Sequence, residues 1–317
     1  MFAVFHTLVL VLVAAVQLAL ANDGKMRHPE AWDKCDAPTG FDKPVDIPGD
    51  WKRYSNLAGF SEQTYCNESP IGTKVGDGEL LWKWGDGDSH QRVFIFNSSS
   101  SGIAVAWEGT NQTSLGSIIH NVDLFLVDPD PELIPQALPG TKVFDGYQKE
   151  YKKAAPHVLK AVQKYTKALN TTKVTVTGDS LGAGIAMIGM FHLEAKLDHG
   201  IDLAFVFGPT RVGNPQYANT VDHVFLNGHR FLYAANFDDI VVHVPPRVLG
   251  FQHPNGQIWI NPANSTSWKY YPGQENIYGA NSVWYRAFSV PDHTGIYFKT
   301  EIGGSELGKC PAEVAVE

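Results

Sequence analysis

Apolar positions along this chain recur with two different periods, and each period predicts its own kind of element. Trp51, Tyr54, Leu57 and Phe60 come at three-residue spacing, one face of a helix that ends near Cys66. Leu80–Trp84 and Arg92–Phe96 flank Gly85-Asp86-Gly87-Asp88 as the arms of a hairpin. The Asp-x-Asp pair between them reads as a turn, not as a piece of a calcium loop. Gly102–Trp107 is a nearly unbroken apolar run and predicts a buried strand. Lys142 to Leu169 contains a long helix with Tyr151, Ala155, Val158, Leu159, Val162 and Leu169 on one face, which Pro156 is expected to kink or to start. Lys173–Thr177 is a β-branched strand, Ala183 to Leu197 a helix, and Leu203–Phe207 and Arg230–Ala235 are further strands. Strands interleaved with helices predict an α/β fold, with a central, mostly parallel sheet flanked by helices.

The first residues fall outside that scheme. Leu8 to Leu20 is apolar except for Gln17, and Ala19-Leu20-Ala21 has the small-x-small form of a cleavage site. Residues 1–21 are therefore expected to be a signal peptide, leaving 22–317 as one α/β domain outside the cell. The run is too short to span a membrane, which takes about 20 apolar residues, so no integral membrane segment is expected in the mature chain. Asn67, Asn97, Asn111, Asn170 and Asn264 each open an Asn-x-Ser/Thr sequon, as candidate glycosylation sites of a secreted protein. The chain has three cysteines, so one bridge and one leftover thiol are expected among Cys35, Cys66 and Cys310, and spacing alone does not choose the pair.

Composition narrows the function classes. With 44% hydrophobic and 18% charged residues the chain has the makeup of a folded protein. A net charge of −8 without a basic stripe argues against nucleic acid and against docking on anionic membranes. Without a Cys-x-x-Cys pair, neither a zinc ribbon nor a thioredoxin-like redox site is indicated.

Candidate chemistry centres on Gly178-Asp179-Ser180-Leu181-Gly182, a G-x-S-x-G pentapeptide. As a string it is weak evidence, but a strand leads in and a helix leads out, the strand–elbow–helix that exposes a nucleophilic serine. A serine hydroxyl needs a base to take its proton, and the base needs an acid. Among the twelve histidines, His6 leaves with the signal peptide, and His192 and His199 read as solvated positions on the helix after the elbow. The late Asp292-His293 pair lies where the last strand-to-helix loop is expected.

Taken with Trp107-Glu108-Gly109-Thr110, Arg211-Val212-Gly213-Asn214-Pro215 and Asp239 through Pro246, these ordered motifs resemble the fungal class 3 lipase family. That is an α/β-hydrolase group of secreted triacylglycerol lipases and feruloyl esterases. The resemblance covers most of the mature chain, to Cys310. It implies Ser180 as nucleophile, Asp239 as acid and His293 as base, with Asp238 and His253 as the rival acid and base. It further implies Leu181 and Thr110 as oxyanion-hole donors, a Cys66–Cys310 bridge that leaves Cys35 unpaired, and no metal or other cofactor. Two positions depart from the family pattern: Asp179, where His is usual, and Val242, where Pro is common.

Leu115, Ile118, Ile119 and Val122 share one face of a two- to three-turn helix. Position after Thr110 makes that helix a lid over the serine by the same resemblance, with an ordinary core helix as the alternative. Leu133, Ile134, Leu138, Val248, Leu249 and Phe251 are candidate walls of an acyl crevice. The expected function is a triacylglycerol lipase acting on a lipid or ester substrate at an interface. An esterase of feruloylated polysaccharide and a silent binding glycoprotein are the alternatives.

Overall fold

Nine strands pair into one sheet in the computed structural model, which describes residues 40–109, 125–283, 289–303 and 309–315. Residues 1–21, Cys35, Thr110, Asn111, Leu115, Ile118, Ile119 and Val122 lie outside the described residues. In chain order the strands begin with β1 (Lys74–Val75), β2 (Gly78–Trp84), β3 (Val93–Ser98) and β4 (Gly102–Trp107). Two short strands, β5 (Leu126–Val127) and β6 (Val143–Phe144), pair with each other. The main sheet resumes with β7 (Val174–Asp179), β8 (Leu203–Phe207), β9 (Phe231–Asn236), β10 (Gln257–Ile260) and β11 (Trp268–Tyr271). A last hairpin, β12 (Ile296–Tyr297) and β13 (Thr300–Glu301), stands apart.

The sheet order is β1-β2-β3-β4-β7-β8-β9-β10-β11. Its centre, β4 through β10, is parallel, and antiparallel pairs close both edges. Every residue of β7, β8 and β9 is buried, as strands covered by helices on both faces must be.

One face is covered by α1 (Trp51–Gln63), whose start is capped by the Asp50 side chain accepting from the Lys52 N–H at 3.0 Å. Its predicted apolar face stacks Tyr54 on Phe205 and Phe60 on Phe96, ring centroids 4.2 and 4.6 Å apart. Burying each such side chain contributes about 1.5–3 kcal/mol. Cys66, just beyond α1, is disulfide-bonded to Cys310, the pair that the family resemblance implied.

The other face is covered by α2 (Asp145–Ala168), α3 (Ser180–Lys196) and α4 (Pro215–Val224). Here α3 is apolar almost all round and packs against both the sheet and α2. A Cβ on Gly184 would come within 2.6 Å of the Tyr147 ring and one on Gly189 within 2.4 Å of the Tyr151 ring, so both positions need glycine for α2 to close in. The α2 helix starts at Asp145 and runs through Pro156. Pro156 and Lys152, whose carbonyl the proline leaves without a helical donor, are both exposed.

His192 corrects an expectation. It is buried, its Nδ1 2.9 Å from the Tyr151 hydroxyl, and burial pulls its pKa down, so it packs as a neutral core histidine. His199 is exposed, in the turn after α3.

Candidate active site

The elbow stands between β7 and α3. Ser180 has φ 54°, in the left-handed region that costs a side-chain-bearing residue about 1–2 kcal/mol, and it persists because its surroundings leave no other path. Those surroundings are tight. A Cβ on Gly178 would lie 2.7 Å from the Gly182 carbonyl oxygen, and one on Gly182 would lie 2.4 Å from that of Glu108. Both flanking positions of the pentapeptide therefore need glycine for lack of space. Ser180 opens the helix and Leu181 follows in its first turn, where backbone N–H groups have no intrahelical partner and favour negative charge.

Two strands along, Asp239 follows β9. Its Oδ1 accepts from the Val241 N–H at 2.8 Å, and its Oδ2 lies 2.9 Å from His293 Nδ1. Both side chains are buried. Asp239 and not Asp238 meets the histidine; Asp238 instead holds the loop by accepting from the Ser289 N–H through its carbonyl oxygen. His253, the rival base, is committed elsewhere. Its Nε2 lies 2.8 Å from the Val242 carbonyl oxygen, its ring stacks on Tyr233, and burial brings its pKa down to about 4.

Parallel register brings these groups together. Asp179 pairs with Phe207 and Phe207 with Ala234, so β7, β8 and β9 end side by side. His293 packs over Gly208, the residue just after β8: a Cβ there would lie 2.7 Å from His293 Cε1. The imidazole thus sits over the strand between those that deliver Ser180 and Asp239. Burial alone lowers its pKa, but the charge and hydrogen bond of Asp239, with the field of Asp179, raise it above the usual value. A buried imidazole held by a carboxylate beside a strained serine is equipped for nucleophilic acyl transfer.

Behind the serine, Asp179 is 5% exposed. Burial raises its carboxyl to about 7, against the hydrogen bond that Tyr65 donates to Oδ2 at 2.6 Å. The Arg211–Glu275 ion pair, 3% and 1% exposed, braces the loop that carries Asp239. The guanidinium also donates to the carbonyls of His243 and Pro245 at 2.6 and 3.0 Å. Neither Tyr65 nor Glu275 stood out in the sequence; Arg211 did, as part of a motif without an assigned task.

The crevice expectation divides. Leu133, Ile134 and Phe251 are buried as part of the main core cluster. Leu138 is half-buried, while Val248 and Leu249 stand 66% and 49% exposed on a short turn after the Asp239 loop. Among the described residues, no group of three or more His, Cys, Asp or Glu side chains is placed to hold a metal ion. No described helix is long and apolar enough to cross a membrane. Of the sequon asparagines, Asn67, Asn97, Asn170 and Asn264 are exposed.

Residues 104–249 match the family described as Lipase (class 3). Over 277 residues the chain is 45% identical to a secreted mono- and diacylglycerol lipase of Malassezia globosa, covering 87% of each. A protein of the same description from Malassezia restricta is 46% identical, with 87% of this chain and 86% of that one covered. Among solved structures, lipase II from Rhizopus niveus superposes with a TM-score of 0.69 at 25% identity, over 82% of this chain and 99% of the other.

Proposed function

The chain belongs to the class 3 lipase family, and from that premise we propose that it is a secreted lipase that cleaves acylglycerols through an acyl-enzyme on Ser180. The observation that carries the reading is the buried Asp239–His293 hydrogen bond over Gly208, beside the strained serine elbow.

In this reading His293 Nε2 takes the Ser180 proton as Oγ attacks the ester carbonyl carbon. Negative charge gathers on the carbonyl oxygen, where the Leu181 N–H at the start of α3 is a donor, with Thr110 as its proposed companion. The imidazolium, steadied by Asp239, then protonates the departing glycerol oxygen. Water, deprotonated by the same histidine, releases the fatty acid and restores the serine. Residues 115–122 are the proposed lid, 1–21 the proposed signal peptide, and the sequon asparagines the proposed glycan sites. Val248 and Leu249, exposed beside the Asp239 loop, are proposed to meet acyl chains.

The sequence favoured triacylglycerols, whereas the relatives near 45% identity are named for mono- and diacylglycerols, which supports partial glycerides as a second reading. The test is hydrolysis of tri-, di- and monoacylglycerol emulsions and of methyl ferulate by the purified secreted protein, beside a Ser180→Ala control. Acylglycerol turnover lost in the control is expected, and the ranking of the three glycerides chooses between the readings. Turnover of methyl ferulate alone would overturn both.

A further inference from the structure

The elbow holds a carboxyl that the reaction outlined above does not use. Asp179 precedes the serine, and its side chain leans away from His293. A Cβ on Gly109, just past β4, would lie 2.7 Å from Asp179 Oδ2, whereas His293 rests over Gly208 at the end of β8. Since β4 and β8 flank β7 on opposite sides, the carboxyl and the imidazole lie on opposite sides of the serine. Neighbouring strands are about 4.8 Å apart, so both remain within close electrostatic range of it.

The charged and titratable groups facing Asp179 come from three places. Tyr65 and Glu62 belong to α1 and the turn after it, Glu108 follows β4, and His293 lies in the C-terminal loop. Glu108 already takes the guanidinium of Arg92. Glu62 is itself a buried carboxyl, accepting from the Gly303 N–H at 2.6 Å. The Tyr65 phenol, pushed well above its usual range by burial and by the Asp179 charge, remains a hydrogen-bond donor throughout the working pH range. Asp179 Oδ1 is buried with no hydrogen-bond partner among the described residues. A carboxylate so enclosed, beside two other acids and with no Lys or Arg paired to it among the described residues, is costly to ionise.

We propose that Asp179 governs turnover by its protonation state: the neutral acid permits acylation, and its ionisation places a negative charge on the oxyanion side of Ser180 that slows it. This rests on the function proposed above. Both groups that develop charge in acylation feel the carboxylate. It favours the imidazolium and opposes the oxyanion, and its lean toward β4, away from His293, makes the opposition the larger effect.

The test is the pH profile of kcat/KM for a soluble short-chain ester, measured in a pH-stat on the secreted protein, with Asp179→Asn and Tyr65→Phe. In the unmodified enzyme the rate should fall on the alkaline side by about tenfold per pH unit until the ionised form's own rate is reached. Asp179→Asn, close in shape and always neutral, should remove that limb. Tyr65→Phe deletes the donor that favours the carboxylate, so its alkaline limb should move to higher pH. A variant that only damages the fold would lower the whole profile without changing its shape. An alkaline limb that survives Asp179→Asn would assign it to another group, Glu108 first, and overturn the proposal, as would an unmoved limb in Tyr65→Phe. Failure of the unmodified chain to hydrolyse any ester would instead sink the function and this inference with it.

Discussion

Gly208→Ala adds one methyl group far from the nucleophile in sequence and should nearly abolish activity. Gly208 has φ +50°, and a Cβ there would stand 2.7 Å from His293 Cε1, 2.8 Å from His293 Nδ1 and 3.0 Å from Asp239 Oδ2. The methyl therefore presses on the hydrogen bond that fixes the imidazole. Ordinary contact needs the ring to retreat by about 0.7 Å, and a misplacement of about 1 Å at a reacting group costs on the order of 10²-fold. Complete loss of the acid's orienting role sets an upper limit of about 10⁴-fold. The backbone cost is separate, about 1–2 kcal/mol for alanine at this φ.

Gly250→Ala isolates that second cost. Gly250 has φ +84° and nothing within 4 Å of its would-be Cβ, so alanine there bears backbone strain without touching the site. The assay is kcat/KM on a soluble ester, with thermal melts of both variants followed by circular dichroism. Comparable losses of stability are expected, with kcat/KM falling by about 10²-fold or more for Gly208→Ala and by less than about twofold for Gly250→Ala. A folded Gly208→Ala enzyme with near-normal kcat/KM would refute the placement of His293 over the end of β8.

Three further outcomes follow from the same structure. His293 must be neutral to act as base and its pKa is raised, so kcat/KM should fall as pH drops through a midpoint above the unperturbed value of about 6.5; a flat profile from pH 5 to 8 would deny it the role. Glu275→Gln leaves the Arg211 guanidinium buried without its counter-charge and should cost about 3–5 kcal/mol in urea unfolding, with activity falling too because the Asp239 loop loosens. Cys66→Ser opens a bridge spanning 244 residues and should lower stability by up to about 5 kcal/mol, whereas Cys35→Ser should leave the melting temperature unchanged; equal losses would contradict the pairing.

The core of the fold was readable because its signals are local. The β4 and β8 strands match their predicted bounds, and α1 and β7 differ only at their ends, since periodicity and β-branching report burial directly. What escaped reading was decided by neighbours distant in sequence. The last two strands of the sheet, β10 and β11, carry aromatic and polar residues, Gln257 and Lys269 among them, with no clean alternation. His192 looks solvated beside Glu194 and Lys196, yet its ring turns inward to Tyr151, a residue of α2. Leu133 and Ile134 were apolar loop residues by composition, and the fold buries both in the main core. At the site, the choice of Ser180, Asp239 and His293 came from ordered motifs, and in the structure it is Asp239, not Asp238, that meets the histidine. Glu275 gave no local signal at all, because its partner Arg211 lies 64 residues away.

The arrangement also explains why so few residues hold the site. Parallel strands point their C-terminal ends the same way, so the chain reaches one edge after β4, β7, β8 and β9 without any dedicated connection. The β7 end gives Ser180, the β9 end gives Asp239, and the β8 end gives only Gly208, whose missing side chain is the space that His293 fills. The histidine arrives from the C-terminal loop, itself held by the Asp238–Ser289 backbone bond and by the Tyr297 hydroxyl donating to the His293 carbonyl at 3.1 Å. Precision at the site is thus inherited from strand register, and the sequence has to specify only what each strand end carries. That is why a methyl on Gly208 is expected to cost more in rate than in stability. It leaves the register intact and fills the one gap that the register was arranged to leave.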